Sequence, residues 1–569
     1  MAFAADAEAA TSSSPAPRRR RFTVFATLNE MPHAEAPVSA HELATPGDDP
    51  RRHFSEALRR PRVAALLVLL CVGAALALRL HNLGDRPFWV DEAATRAFAL
   101  LDAATLVNVL GPVETTPPTY YLLVKAWMAL GDGSEFWLRL PSVLVGGVSV
   151  LLFGAFLWRA FGPVPAVWGA ALLAVAGGHV RYAQEARVYS LVFMLFVLGL
   201  LLMERLAHAL DSAAPGARLR RWGFAAGSAV NAGLLIGLHF SATFAAATIY
   251  FYGLCLLLAR RRASVRRVAV LVASGAAGLV LAAPALLLAF SIAGDKSGAA
   301  YWMQAPSLGE AFLHFQSVLW APQLGRLALP GTALSLLALA VCFWAGRRHP
   351  QAVALASAFA FAAGAAYAVS LVTPPMLMGR TVLFTLALNL AILAYGLSRL
   401  RRPVLVAAVA AAAFLPQVKG SANQLAAPYF YGEAWVEVAR AVNQQAGPRD
   451  TVLPVGAFEA VALDHYIAPY GGLRSTAAVG DREGGLFTTS IALMTGAVPI
   501  NEADLEVPVF CKGLRPGGDV WLLARDSAPL RNLVHRVEQA LETAGSTKRS
   551  QATHHGLFVE RWSPPTRCG

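Results

Sequence analysis

The amino-acid sequence predicts a mainly α-helical protein, with a polytopic membrane bundle of about eleven spans followed by a small extracytoplasmic α/β domain. Hydrophobic residues make up 56% of the 569 residues and charged residues only 15%, and the mean hydropathy is +0.50. Roughly a quarter of a soluble domain is charged, so much of this chain must face lipid. The apolar runs stop near residue 416, and the more polar remainder predicts a domain in water.

This pattern divides the chain into three predicted regions. Residues 1–62 form a basic, Ala/Ser/Pro-rich tail that we expect to be disordered in the cytoplasm. Residues 63–416 form the bundle, with a long first outer loop at 81–138, and residues 417–569 form the outer domain. The formal net charge of +13 comes from short clusters between apolar runs. The sequence therefore predicts a lipid bilayer as the environment and no nucleic-acid partner.

Each predicted span is an apolar run near the roughly 20 residues that a helix needs to cross a bilayer. The runs are Val63–Leu80, Leu140–Trp158, Pro163–Gly178, Val188–Leu206, Trp222–Leu238, Ser241–Ala259, Val268–Phe290, Leu327–Ala345, Ala352–Val372, Thr381–Leu397 and Pro403–Pro416. One further run, Thr119–Leu130, is too short to cross and predicts a helix in the interface.

Arginine clusters predict the orientation of the bundle. They fall in alternate connections, at Arg218–Arg221, Arg260–Arg267, Arg347–Arg348 and Arg399–Arg402. Cytoplasmic loops carry an excess of Lys and Arg, so the N-terminus is predicted in the cytoplasm and the C-terminal domain on the opposite face. Together with the Ala/Arg-rich composition, this predicts a multi-pass protein of a bacterial inner membrane.

The C-terminal domain shows both helical and strand patterns. The stretch "AWVEVARAVNQQAG" has helical spacing and ends at Gly447, and "DTVLPVG" and "GDVWLLARD" have the composition of strands. Cys511 and Cys568 lie in this region and can pair if it is outside the cytoplasm.

Candidate site residues gather in loops that the predicted orientation places on the outer face. The stretch "RPFWVDEAATR" holds adjacent acids, and "PVETTPPTYY" holds an acid before a double proline. The stretches "HVRYAQEARVYS" and "TPPMLMGRT" add cations, and a histidine lies between two spans on the same side. Loops are where charges normally lie, so it is the convergence on one face that indicates a site. The candidates are Asp91, Glu92, Arg96, Glu114, Arg181, Glu185, Arg187, Tyr189, His239 and Arg380.

The stretches "FWVDEA", "ETTPPTYYLLVKAWMALGDGSEFWLRLPSVLVG" and "RYAQEARVYSL" resemble the first third of GT-C glycosyltransferases. The branch is that of protein O-mannosyltransferases, the lipid A aminoarabinose transferase and Rgt-type sugar transferases. The resemblance implies inverting transfer of a sugar from a polyprenyl-phosphate donor to a lipid, glycan or protein acceptor. Asp91 matches the family's catalytic base, and Glu114 matches a second loop acid that binds acceptor or sugar. Glu92 either holds Asp91 in place or faces solvent.

The resemblance also implies cations that stabilise the departing lipid phosphate. Arg181, Arg187 and Arg380 are the candidates, with His239 behind them, because arginine presents a planar fork of donors to phosphate. The aminoarabinose transferase carries cations where this chain has Ala94 and Thr115, and Arg96 could substitute for one of them. The sequence shows no ligand cluster with metal spacing, and a divalent cation held by the Asp-Glu pair stays open.

Two other classes of protein stay open at this point. A transporter or flippase would place ionisable groups and broken helices near the bilayer midplane, often in paired halves. A non-catalytic membrane scaffold would bind a partner through its C-terminal domain. The identity of the sugar and of the acceptor stays open as well.

Overall fold

The computed structural model describes most of the chain from residue 59 onward. The described ranges are 59–110, 116–293, 305–320, 328–345, 349–372, 377–467 and 511–568, without the single positions 213, 215, 430, 432, 448, 456, 512, 513, 515 and 527. Glu114 and Thr115 lie outside the described residues, as does the predicted tail up to residue 58.

Helices dominate the described part of the chain. In order they are α1 Pro61–Leu80, α2 Val90–Leu100, α3 Ala103–Leu110, α4 Pro118–Met128, α5 Glu135–Phe161, α6 Pro163–Ala174, α7 Gly177–Ala183, α8 Tyr189–Asp211, α9 Ala217–Leu238, α10 Ala242–Ala259, α11 Val265–Leu281, α12 Ala283–Ala293, α13 Leu308–Trp320, α14 Ala328–Ala345, α15 Pro350–Val372, α16 Thr385–Arg399, α17 Pro403–Ala426, α18 Trp435–Gln445, α19 Ala457–Ile467 and α20 Ala528–Thr543.

Seven of the described helices are long and apolar enough to span a membrane: α1, α5, α8, α10, α14, α15 and α17. Two bent pairs raise the number to nine, because α6 and α7 meet at 59° and α11 and α12 at 64°. The two remaining predicted runs are also helical and form α9 and α16. Helix α9 begins among arginines, and α16 has only 15 residues and is buried along most of its length. The prediction of a polytopic helical bundle is confirmed.

The segment predicted as the first outer loop contains three short helices, α2, α3 and α4. Helix α4 has 11 residues, about 16 Å of helix, and is therefore too short to cross a bilayer. It begins at Pro118, where a proline costs no hydrogen bond because the first amides of a helix have no partner within it. Helix α2 packs against α4, so two helices of this segment support each other and hold the acid-bearing helix in place.

The C-terminal domain contains a four-stranded sheet with the order β1-β2-β4-β3. Its strands are β1 Thr451–Pro454, β2 Val520–Arg525, β3 Lys548–His554 and β4 Leu557–Trp562. Strands β1 and β2 are parallel and match the two predicted strands, while β4 pairs antiparallel with both β2 and β3. Side chains of α20 and the sheet share a core of their own, and Cys511 and Cys568 form a disulfide.

The C-terminal domain lies against the segment 81–138 rather than apart from the bundle. Helix α19 packs on α2, and the hydroxyl of Tyr466 accepts a hydrogen bond from the backbone amide of Phe88 at 2.6 Å. The same hydroxyl donates to Glu135 Oε1 at 2.7 Å, at the start of α5. Three parts of the chain therefore meet beside the helix that carries the adjacent acids.

Candidate active site

Asp91 and Glu92 occupy the first turn of α2 and point in different directions. Neighbouring residues of a helix lie about 100° apart, so they face different surroundings. The Asp91 side chain is 18% exposed, whereas the Glu92 side chain is fully buried. Both charges interact favourably with the positive end of the helix dipole.

Two arginines from distant segments converge on Asp91. Arg380 Nη1 donates to Asp91 Oδ2 at 2.9 Å, and Arg187 Nη2 lies 3.8 Å from the same oxygen. Arg187 also donates to the backbone oxygen of Asp91 at 3.3 Å and to Thr95 Oγ1 at 3.1 Å. Since two guanidinium groups surround one carboxylate, this group of three carries one excess positive charge.

Glu92 is bound by a buried arginine. Arg139 Nε donates to Glu92 Oε1 at 2.8 Å and Arg139 Nη2 to Glu92 Oε2 at 2.6 Å, and neither side chain is exposed. The backbone amide of Ala186 donates to Glu92 Oε1 at 2.7 Å. Glu92 thus joins α2 to α5 and to the segment that carries Arg187.

Aromatic and imidazole rings form the wall behind the two arginines. The guanidinium carbons of Arg187 and Arg380 lie 5.9 Å and 6.0 Å from the ring centroid of Tyr189, whose centroid is 5.7 Å from that of His239. The backbone amide of Ser241 donates to His239 Nδ1 at 3.2 Å, so the neutral ring holds its proton on Nε2. Burial, with the charges of Arg187 and Arg380, lowers the pKa of His239 to about 3. The imidazole is therefore neutral at physiological pH.

Arg181 and Glu185 form a second pair beside this group. Arg181 Nε lies 3.4 Å from Glu185 Oε1, and the Arg181 guanidinium carbon lies 4.4 Å from the ring centroid of Tyr431. Glu185 is fully buried, and its Oε2 has no hydrogen-bond partner within the described ranges. Burial raises the pKa of the Glu185 carboxyl to about 7, although Arg181 opposes this shift.

Arg96 lies on a different side of α2 from Asp91. Its charge interacts favourably with that of Glu135, at the junction between α5 and the C-terminal domain. The structure therefore brings Asp91, Arg181, Glu185, Arg187, Tyr189, His239 and Arg380 to one region, and it separates Arg96 from them. Glu114 cannot be assigned to either group, because it lies outside the described residues.

The C-terminal domain contributes a carboxylate that sequence reasoning missed. Glu433 Oε2 accepts hydrogen bonds from the backbone amide of Val90 and from Trp435 Nε1, each at 2.9 Å. Val90 is the first residue of α2, so Glu433 caps the helix that presents Asp91. Arg525 links Glu433 to Glu459: its Nη1 lies 3.4 Å from Glu433 Oε1, and its Nε lies 2.5 Å from Glu459 Oε1. The only sequence signal is an isolated acid among aromatic residues in "YFYGEAW".

The acids of α2 pair with arginines rather than with other potential metal ligands among the described residues. Across the ranges that the structure describes, no group of three or more His, Cys, Asp or Glu side chains is arranged to hold a metal ion. The Asp91 carboxylate is instead bound by arginine, and that of Glu92 by a second arginine.

The apolar helices, the helical segment 81–138 and the small C-terminal domain together form the fold of GT-C membrane glycosyltransferases. The structure of ArnT from Cupriavidus metallidurans in the apo state has a TM-score of 0.56 and 15% identity, covering 87% of this chain and 97% of that chain. ArnT from the same organism bound to undecaprenyl phosphate has a TM-score of 0.55, with the same identity and coverage. The oligosaccharyltransferase of Archaeoglobus fulgidus in complex with Zn and sulfate has a TM-score of 0.50 and 12% identity. The match covers 81% of this chain and 68% of that chain. No protein-family model and no curated protein sequence matches the chain.

Proposed function

We propose that this protein is an inverting glycosyltransferase that moves a sugar from a polyprenyl-phosphate donor to a lipid, glycan or protein acceptor. The observation that carries the proposal is the partly exposed Asp91 carboxylate, held by Arg187 and Arg380 inside a GT-C fold. The proposed setting is the outer face of a bacterial inner membrane, with residues 1–62 in the cytoplasm and 417–569 outside.

The reaction requires a general base, and we propose Asp91 for this role. Its carboxylate takes the proton of the acceptor hydroxyl while that oxygen attacks the anomeric carbon of the sugar. The bond between that carbon and the phosphate oxygen breaks, and the phosphate leaves with the electron pair. Attack from the face opposite the leaving group inverts the anomeric configuration.

The leaving phosphate gains negative charge, and Arg187 and Arg380 are the proposed groups that stabilise it. The excess positive charge of the two arginines and Asp91 matches the single charge of the phosphodiester donor. It also favours the more negative monoester product. The neutral imidazole of His239 can donate from Nε2, and Tyr189 keeps the arginines oriented. Arg181 and Glu185 are proposed sugar ligands, and Glu114 stays a prediction for the acceptor or the sugar.

The test is sugar transfer in membranes supplied with a panel of radiolabelled polyprenyl-phosphate sugars. The Asp91→Asn variant is expected to lose at least about a hundredfold in rate, as when a general base is removed. Asp85→Asn is the matched control, because Asp85 is an exposed acid of the same loop. Equal rates for the wild type and Asp91→Asn with every donor would reject the proposal and favour a transporter or a scaffold. An EDTA arm tests whether a divalent cation takes part.

A further inference from the structure

A basic cavity lies at the opposite end of the bundle from Asp91. Helix α8 begins at Tyr189 beside the candidate site and ends at Asp211, and its 23 residues span about 34 Å. Around its far end, where α9 and α11 begin, the structure forms a cavity of about 700 Å³. The hydrocarbon core of a bilayer is roughly 30 Å thick, so the cavity and the candidate site lie at opposite membrane surfaces.

Four arginines line this cavity, and its lining includes no carboxylate: Arg218, Arg221, Arg266 and Arg267. Asp211 pairs with Arg267 at 3.3 Å and with Arg260 at 3.9 Å but does not line the cavity. The cavity therefore offers a concentrated positive charge of the kind that binds anions.

Two of these arginines are fixed by backbone oxygens at the end of α8. Arg221 Nε donates to the Ala209 oxygen at 2.9 Å, and Arg267 Nη2 lies 3.3 Å from the Leu210 oxygen. Arg218 and Arg266 make no hydrogen bond or ion pair with any residue that the structure describes. The cavity thus combines a rigid basic wall with two guanidinium groups available to a ligand.

The rim of the cavity is apolar, which distinguishes a lipid from a soluble anion. Trp222 lines the cavity and is 57% exposed, and nearby Leu219 and Val265 are 80% and 90% exposed. Tryptophan beside arginine is typical of the membrane interface, where an aromatic ring lies at headgroup level. A free phosphate ion would gain nothing from this apolar rim, whereas acyl chains would cover it.

We propose that this cavity binds the phosphate of an anionic phospholipid from the leaflet at this end of the bundle. Arginine matches phosphate because its planar fork donates two parallel hydrogen bonds. Basic pockets between membrane helices are known to hold anionic headgroups. This inference does not depend on sugar transfer, since none of its residues belongs to the candidate active site.

The test uses the purified full chain and native mass spectrometry with phosphatidylglycerol or phosphatidylcholine of the same acyl chains. The wild type is expected to bind phosphatidylglycerol more tightly. The double variant Arg218→Gln/Arg266→Gln is expected to lose about thirtyfold in that affinity, at about 1 kcal/mol for each arginine. The control Arg401→Gln/Arg402→Gln removes two exposed arginines from the predicted cytoplasmic loop between α16 and α17 and is expected to keep wild-type affinity.

Several results would overturn the proposal. One such result is equal binding of phosphatidylglycerol and phosphatidylcholine by the wild type. This comparison does not depend on the folding of any variant. Equal losses in the cavity and control variants would show a general effect of charge. Displacement of the lipid by inorganic phosphate at similar concentration would identify a soluble anion as the ligand. Tighter binding of polyprenyl phosphate than of phosphatidylglycerol would identify the carrier lipid instead.

Discussion

Neutral substitutions of the two adjacent acids of α2 are expected to have different effects, one on sugar transfer and the other on stability. Asp91→Asn removes a partly exposed carboxylate that sits between two arginines, and it should abolish transfer while the protein still folds. Glu92→Gln removes one charge of a fully buried ion pair and should instead reduce the amount of folded protein.

The expected size of the Glu92 effect comes from the contacts of Arg139. This guanidinium makes two hydrogen bonds to Glu92 and donates to the backbone oxygens of Leu83, Arg86 and Pro87 at 3.0, 2.8 and 3.1 Å. The three carbonyls hold Arg139 in place after the substitution, so a buried positive charge is left without its counter-ion. Removing one partner of such a pair costs about 3–5 kcal/mol.

The assay is thermal unfolding in detergent, followed by the loss of the monodisperse peak in size-exclusion chromatography. Glu92→Gln is expected to lower Tm by at least about 5 °C, since 1 kcal/mol shifts Tm by about 2 °C in a large domain. Asp91→Asn should lower Tm less than Glu92→Gln does, because the Asp91 side chain is partly exposed to solvent, and the exposed control Glu542→Gln should keep the wild-type Tm. A Glu92→Gln protein with wild-type Tm but no transfer would refute the reasoning and make Glu92 part of the chemistry.

Substitutions at three further positions test other parts of the site. Arg380→Gln should lower transfer by about a hundredfold, because it removes a cation that we propose to stabilise the developing phosphate charge, and Arg380→Lys should recover part of the rate. Glu433→Ala should lower kcat with little change in the donor KM and cost about 1 kcal/mol of stability, as for a lost helix cap. Glu185 has a folded-state pKa raised by burial to about 7, so it contributes stability below pH 4.5 that is lost as pH rises through 7. The gain in Tm from Glu185→Gln, relative to wild type, should therefore grow from pH 5 to pH 8.

Each of these expectations has an outcome that contradicts it. An Arg380→Gln enzyme with full activity would exclude that arginine from phosphate stabilisation. Glu433→Gln keeps an oxygen that can accept from Val90, so it should restore much of the Glu433→Ala loss; no recovery would argue against a capping role. A Tm difference for Glu185→Gln that stays constant between pH 5 and pH 8 would mean that this carboxyl does not titrate there.

The membrane helices could be predicted because hydropathy is a local property of the chain. All eleven apolar runs are helical, including α9 and α16. The breaks between α6 and α7 and between α11 and α12 were not predicted, although residues that favour kinks, Gly177-Gly178 and Pro284, lie beside them. Strands β3 and β4 were not predicted; most residues of β3 are exposed, so no buried alternation marks that strand.

The sequence predicted a set of candidate residues but not which of them pair with one another. Asp91 and Arg380 are 289 positions apart, and Val90 and Glu433 are 343 apart, so nothing local connects them. Sequence alone also could not separate Asp91 from Glu92, because the difference between them arises from Arg139 on another helix. Which cations bind the phosphate stays a prediction.

The contact between Glu433 and Val90 connects the C-terminal domain directly to the helix that carries the proposed catalytic base. Asp91 follows Val90 in the chain, and any displacement of Glu433 alters the hydrogen bond that fixes the start of α2. A binder raised against the C-terminal domain could thus slow sugar transfer without entering the helix bundle. For the same reason, a variant that lacks this domain would lack the capping group as well as the sheet.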